Sequence, residues 1–476
     1  MIISITNFNI GGQMKMTQAN IIFANDSWVI NNKQITQFVK DSAGSFSTLI
    51  DEDGLVIVIK EIEEKKLTYD QVRMTAGAIA RELSKRKIEK ATIDGQLLSD
   101  SFSTLDSEAG AVLTAFVEGW NLGNYQFLTY KSKETAFATE LQVTNVEDLD
   151  LIEAGEIRAE AMAFSRDLMN EIPNVLNPET FPTMLVDKFA ETDVDVKVFG
   201  KDELEKMEMN GILTVGRGSK YAPSLVELHY CGDETKPLVS LVGKGVTFDT
   251  GGISLKGSRD LSDMRMDMGG AAAVAGAMQL LAKAKAKVNV VALIQIVENM
   301  PDNLSLLPGE VIRYKNGHTV QVGNTDAEGR LILADGLIRA GELNAEYIVN
   351  IATLTGAIAN ALGSKLAGVF GDEQLSLELK AIGDVNGDFV WPMPLVDAYE
   401  SYLKSDYADF SNISSKAEAG AITAALFLRR FVPENSKWLH VDMAGVMESQ
   451  EAGYYAKSAT GFGARLLADF TEHVSK

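Results

Sequence analysis

A single cysteine, Cys231, among 476 residues excludes any intrachain disulfide and fits a reducing compartment. Histidine is almost as scarce. His229, His318, His440 and His473 are scattered and mostly fall in apparent strands, so they read as core or surface residues and not as a zinc site. Basic residues are outnumbered, with 44 Lys and Arg against 66 Asp and Glu and a formal charge of −22. That deficit argues against binding to nucleic acid, which needs Lys/Arg stripes, and it suits cation binding. Apolar runs such as VVALIQIV at 290–297 are too short to span a bilayer. The opening MIISITNFNIGGQMKMTQ lacks the basic and apolar regions of a signal peptide, and Met14 and Met16 are alternative starts to Met1. A cytoplasmic protein without membrane contact is expected. Neither G-x-x-x-x-G-K-[ST] nor G-x-G-x-x-G occurs, and there are no repeats.

What is present is a long alternation of strand-like and helix-like segments, enough for two or three domains. Residues 1–150 read as a small α/β domain with an oligomerisation or regulatory role. Its pieces include a strand at 55–62 and helices at 68–87 and 108–125. Residues 145–170 read as one long helix, so that 151–172 connects the domains, and the proline- and asparagine-rich NEIPNVLNPETFP marks the boundary. Residues 173–476 carry candidate strands at 194–200, 225–231, 237–243, 287–297, 318–323, 345–354 and 437–444, with helices at 269–286 and 328–344 between them. Near-continuous apolar strands alternating with helices imply a buried, mixed central sheet with helices on both faces, an α/β/α layer. Sites in such folds gather at the carboxyl ends of strands.

Three segments meet that condition. VGKGVTFDTGGISLKG, 242–257, reads as a glycine-rich loop after the 237–243 strand and holds Lys244, Asp249 and Lys256. SDMRMDMGGAAAVAGAM, 262–278, places Asp267 before a helix of very small residues. Taken alone, Asp267 reads as an acid that favours the helix start, and Met264, Met266 and Met268 as core or pocket wall. GNTDAEGRLIL, 323–333, reads as a helix N-cap by Asn324, Thr325 or Asp326, except that Arg330 in the first turn opposes the helix dipole. Four carboxylates converging from Asp249, Asp267, Asp326 and Glu328 stay ionised together only around a cation. With histidine excluded, a lysine amine is the remaining nitrogen ligand. The residues alone do not distinguish Lys244 from Lys256.

NTDAEGRL at 324–331, VGKGVTFDTGGISLK (with Val246 where Ile is common), MRMDMGGAA, TLTGA at 353–357 and HVDMAGVM at 440–447 together resemble the leucyl (cytosol) aminopeptidase family of metallopeptidases, from about Asn170 to the end. The resemblance implies a smaller N-terminal α/β domain joined by a long helix to a larger phosphorylase/hydrolase-like α/β/α domain. It implies two divalent ions per subunit, Mn²⁺ or Zn²⁺. Lys244, Asp249, Asp267 and Glu328 would hold one, and Asp249, Asp326 and Glu328 the other. Lys256 and Arg330 would be catalytic, with bicarbonate at Arg330 as general base. Met264, Thr353, Leu354, Gly356, Ala444 and Met447 would line an apolar pocket of broad, Leu-like specificity for short peptides with a free N-terminus. A homohexamer is implied as well. Lys416, Ala417 and Glu418 stand where relatives often carry aromatic or basic residues, which puts substrate-edge or assembly contacts in question. An architectural DNA-binding role and a metal-dependent phosphoesterase are the competing readings.

Overall fold

The computed structural model describes residues 17–52, 54–62, 67–105, 110–449 and 451–476. Met14, Met16 and the start of the 108–125 helix lie outside them. The chain divides into two compact units after Gly155. The first is built on a five-stranded sheet in the order Phe46–Ile50, Leu55–Ile59, Gln18–Phe23, Lys90–Asp94, Glu140–Thr144. Only the first pair is antiparallel. Thr68 caps the helix Tyr69–Lys85 by accepting from Gln71 N. The helix Ala111–Asn124 packs closely on it, because Gly119 and Gly123 put no Cβ against the backbone of Arg73 and Gly77.

The long helix is Asp150–Asn170, shorter than expected at its start. Asn145 takes a left-handed φ of 52° directly after the strand Glu140–Thr144, a conformation no helix can continue.

The second unit carries an eight-stranded mixed sheet in the order Val390–Pro392, Ala367–Gly371, Lys437–Asp442, Tyr347–Ala352, Leu238–Asp249, Asn289–Asn299, Ser224–Cys231, Asp195–Phe199. The central four strands are parallel, and antiparallel pairings flank them. One apolar cluster includes Ala271–Ala275, Leu466, Leu467 and Phe470, and the other includes Leu331–Ala334 and Leu426–Leu428.

Two expectations change. The strand expected at 237–243 runs on to Asp249, with a register shift between Val246 and Asp249, so Lys244 lies within a strand. Gly243 permits this, because a Cβ there would meet Gly270 O at 2.7 Å, and the helix Gly269–Lys283 lies tight against the strand. The strand expected at 318–323 is Thr319–Gln321 and belongs to a separate three-stranded sheet with Val311–Arg313 and Phe410–Ser411. Among the described residues no helix is long and apolar enough to cross a membrane.

Candidate metal centre

The ends of the parallel strands converge. Asp249 closes one, Asn299 its neighbour and Asp442 a third, while Thr353 directly follows the fourth. From the other side come Asp267, in the turn before Gly269–Lys283, and Glu328, the first residue of Glu328–Glu342. Neither acid acts as a helix cap. The starts of both helices lack a side-chain cap, and Asn324 Oδ1 accepts from Asp326 N (2.8 Å) instead. The capping readings therefore give way: Asp267, Thr325 and Asp326 are directed to tertiary partners, and Asn324 bonds within its own turn.

Lys244 is the hub on one side. Its Nζ donates to Asp267 Oδ1 (2.8 Å) and to the Thr353 carbonyl (3.1 Å), and it lies 2.9 Å from Glu328 Oε1. Thr353 Oγ1 also donates to Asp267 Oδ1 at 2.7 Å. Gly329 explains how a buried lysine passes this helix: a Cβ there would lie 2.7–2.9 Å from Lys244 Cε, Cδ and Nζ. Lys256 occupies the other side, with Nζ 2.6 Å from Asp249 Oδ2 and paired with Asp326. Its loop turns through Gly251 and Gly252, at φ of 90° and 65°, a region that favours glycine. One carboxylate oxygen each from Asp249, Asp326 and Glu328 lies within 4.8 Å of the others.

Four carboxylates share this box with two ammonium groups, an excess of two negative charges (four less two) in a largely buried space. Burial first, then the charges of Glu328 and Asp267, push the Asp249 carboxyl up to about 8. Burial likewise lifts Asp267 to about 6 and raises Asp326. Burial opposes the charge on Glu328, but Lys244 and Lys256 outweigh it and hold that carboxyl low. Both lysines are desolvated as well, and the surrounding carboxylates more than compensate and push them up. Glu328 Oε2 is buried with no hydrogen-bond partner. A charge excess and an orphaned anionic oxygen in an oxygen-rich cluster fit divalent cations.

Three further side chains hold this arrangement, and one of them, Asn299, lies in none of the motifs. Asn299 Nδ2 donates to Asp249 Oδ1 (2.8 Å) and to the Thr325 carbonyl (3.0 Å), tying two ligand-bearing segments together. Thr325 Oγ1 donates to Gly251 O and accepts from Ser254 N. Asp442 accepts from Leu354 N, Thr355 N and Thr355 Oγ1. Burial pushes its carboxyl up to about 6. For Asn299 the available signal was its position at the carboxyl end of a strand; Asp442 stands at such an end too, and inside the motif HVDMAGVM.

Arg330 is buried and donates from Nη1 to Asn412 O (2.8 Å), while its Nε has no hydrogen-bond partner. Burial draws its pKa down to about 10. It lines a cavity of about 510 Å³ whose walls also include Asn324, Asp326, Leu354, Gly356 and Ile413. Of the six expected pocket residues, only Leu354 and Gly356 line this cavity. Thr353 is turned to Asp267, Met264 is buried in the preceding turn, and Ala444 and Met447 are partly buried against the two apolar clusters. His440 is fully buried and, through burial, held neutral with a pKa drawn down to about 3.

Residues 163–468 match the profile described as "Cytosol aminopeptidase family, catalytic domain", and residues 63–134 the N-terminal domain of the same family. A probable cytosol aminopeptidase from Persephonella marina is 39% identical over 423 residues, covering 87% of this chain and 84% of its own. One from Rickettsia felis is 40% identical over 419 residues, covering 86% and 83%. Among solved structures, the bottromycin maturation enzyme BotP aligns with a TM-score of 0.87 at 30% identity, over 96% of this chain and 99% of its own. BotP in complex with Mn gives the same score at 29% identity, over 97% and 100%.

Proposed function

The chain belongs to the cytosol aminopeptidase family and is a metal-dependent aminopeptidase, a hydrolase of N-terminal peptide bonds; from that premise we propose a two-metal leucyl aminopeptidase of short peptides. The observation that carries this reading is the gathering of Lys244, Asp249, Asp267, Asp326 and Glu328 into one box. In it Lys244, Asp249, Asp267 and Glu328 would hold one ion, and Asp249, Asp326 and Glu328 would hold the other. Mn²⁺ and Zn²⁺ both accept oxygen ligands with one amine. Bound ions supply Lewis-acid polarisation of the scissile carbonyl and acidify the attacking water. Lys244 Nζ, paired here with Asp267 and Glu328, would act as a ligand in its neutral form, its proton released to solvent when the ions bind, since nearby dications reverse the local field.

The remaining work falls to the chain. Lys256 Nζ, freed from Asp249 and Asp326, donates to the developing oxyanion, a contribution of about 2.7–4 kcal/mol for a donor of this type. Arg330, with Nε unpartnered, holds an anion such as bicarbonate that takes the proton of the water. Met264, Thr353, Leu354, Gly356, Ala444 and Met447 surround the first side chain of the substrate. Apolar walls discriminate by about 1–3 kcal/mol per methylene or two, so the preference is Leu-like and broad. A cytoplasmic homohexamer completes the proposal, with residues 1–150 as an oligomerisation or regulatory domain, 151–172 as connector and 173–476 as the catalytic part.

Asp326→Asn is expected to abolish leucine-amide hydrolysis with circular dichroism unchanged. Chelator is expected to silence the wild type, and Mn²⁺ or Zn²⁺ to restore it. Full activity in Asp326→Asn, or in chelated protein, would overturn the assignment, and a panel of amino-acyl amides reads the Leu-like preference.

A further inference from the structure

Asp249 reaches the metal centre with one oxygen already taken. Its Oδ1 accepts from Gly251 N at 2.9 Å and from Asn299 Nδ2 at 2.8 Å. A carboxylate oxygen offers two lone-pair directions, and here both are filled. Oδ2 is the oxygen left for the box, where Lys256 Nζ lies 2.6 Å away.

Asn299 is the side chain that fixes this choice. It ends the strand Asn289–Asn299, stands in register with Asp249 of the neighbouring strand, and is 3% exposed. Its main chain is tied to the same segment, with Asn299 O accepting from Thr250 N (3.0 Å) and Thr250 Oγ1 (2.8 Å). Gly252 leaves room for the carboxamide, since a Cβ there would lie 2.7 Å from Asn299 Oδ1. The other Nδ2 proton goes to Thr325 O at 3.0 Å, the carbonyl of the residue before Asp326. One amide group thus orients the Asp249 carboxylate and holds the backbone that carries Asp326.

The two ion places depend on that amide unequally. Asp249, Asp326 and Glu328, whose oxygens lie within 4.8 Å of one another, would hold one ion, and two of these three ligands rest on Asn299. Lys244, Asp249, Asp267 and Glu328 would hold the other. Of these four, Asp249 alone accepts from Asn299, while Lys244 bonds to Asp267, Glu328 and the Thr353 carbonyl. We propose that Asn299 is a positioning residue for the ion at Asp326: its two donations preorganise the three-ligand place and leave the four-ligand place largely unchanged. This rests on the two-metal reading and deepens it. Side chains that hydrogen-bond to a metal ligand set affinity by about tenfold to a hundredfold.

The test measures zinc retained per chain, by atomic absorption, as the metal-loaded full chain is dialysed against falling free Zn²⁺. Asn299→Leu removes both donations and keeps the volume; Asn299→Ala removes both. In each variant one ion is expected to leave at about tenfold to a hundredfold higher free Zn²⁺ than in wild type, and the other within a few-fold of wild type. Combining Asn299→Leu with Asp267→Asn is expected to loosen both ions, and combining it with Asp326→Asn to loosen one. Equal shifts of both ions in the single variants, no shift of either, the reverse pattern in the combinations, or failure of both single variants to fold in saturating Zn²⁺ overturns the proposal and leaves the two-metal reading standing. A wild type that retains a single ion, or none, ends the two-metal reading and this inference with it.

Discussion

Asn412 holds Arg330 through its main chain and the loop that carries Asp326 through its side chain. Its carbonyl accepts from Arg330 Nη1 at 2.8 Å. Its Oδ1 accepts from Gly323 N (2.8 Å) and Asn324 N (3.3 Å), and its Nδ2 donates to Asn324 O (2.7 Å) and Ala327 O (3.3 Å). One fully buried amide thus meets four backbone groups of the segment that leads into the helix Glu328–Glu342, one of which, Asn324 O, also accepts from Ala327 N (3.3 Å).

The consequence is testable at Asn412. Truncation to Ala removes four hydrogen bonds from partly buried backbone groups, at about 0.5–1.5 kcal/mol each at most, and frees the loop between Gly323 and Glu328. Asn412→Asp keeps the acceptor, removes both donations and adds a buried charge. Both variants are expected to lower kcat of leucine-amide hydrolysis by at least about tenfold, a shift of roughly 1.4 kcal/mol or more in the barrier. KM is expected to change less, because the first side chain of the substrate is not touched. A variant that melts earlier and keeps its kcat would reduce Asn412 to a structural role.

Gly329 offers a sharper separation of stability from function. Alanine in a helix interior is favoured over glycine by about 1 kcal/mol, so on local grounds Gly329→Ala should strengthen the helix Glu328–Glu342. The new Cβ, however, would sit 2.7–2.9 Å from three atoms of the Lys244 side chain, which is 3% exposed and has little room to retreat. The expected outcome is a melting temperature within a few degrees of wild type and a severe loss of metal affinity, read by calorimetric titration with Zn²⁺. Unaltered Zn²⁺ binding would mean that Lys244 can move aside.

These two residues also mark where sequence reading ends. The four acids were legible because a cluster of like charges at strand ends demands a cation, and motif order made the grouping specific. The parallel central strands were legible from their continuous apolar character. Asn412 was not, because an asparagine satisfying backbone groups nearly ninety residues away leaves no trace in periodicity. The extension of the strand through Lys244 to Asp249 was hidden by glycines at 243 and 245, which resemble loop residues until the helix against Gly243 and the strand Asn289–Asn299 against Gly245 are known. The capping misreading at Asp326 has a similar origin. Local chemistry offers a cap there, and tertiary partners take the side chain instead.

The helix that presents Glu328 and Arg330 is anchored at its other end, and that anchor titrates. Arg339 Nε donates to Glu227 Oε1 at 2.7 Å, and His229 Nε2 lies 3.1 Å from Glu227 Oε2, joining the helix Glu328–Glu342 to the strand Ser224–Cys231. Burial alone would raise the Glu227 carboxyl, but the bonds from His229 and Arg339 outweigh it, and the carboxyl ends below its ordinary value. A carboxylate depressed in the folded state stabilises the fold fully above its unfolded pKa, about 4.3 for Glu. That stabilisation is lost as pH falls through the lower folded value, where the unfolded chain binds the extra proton. Wild-type unfolding free energy should therefore decline with falling pH below about 4.3, in part through this group. Glu227→Gln should be less stable at pH 7, because Arg339 loses its charged partner, and its acid limb should be shallower. Urea denaturation of both proteins between pH 3 and 7 reads the difference, and parallel acid limbs would show that the anchor contributes no proton linkage.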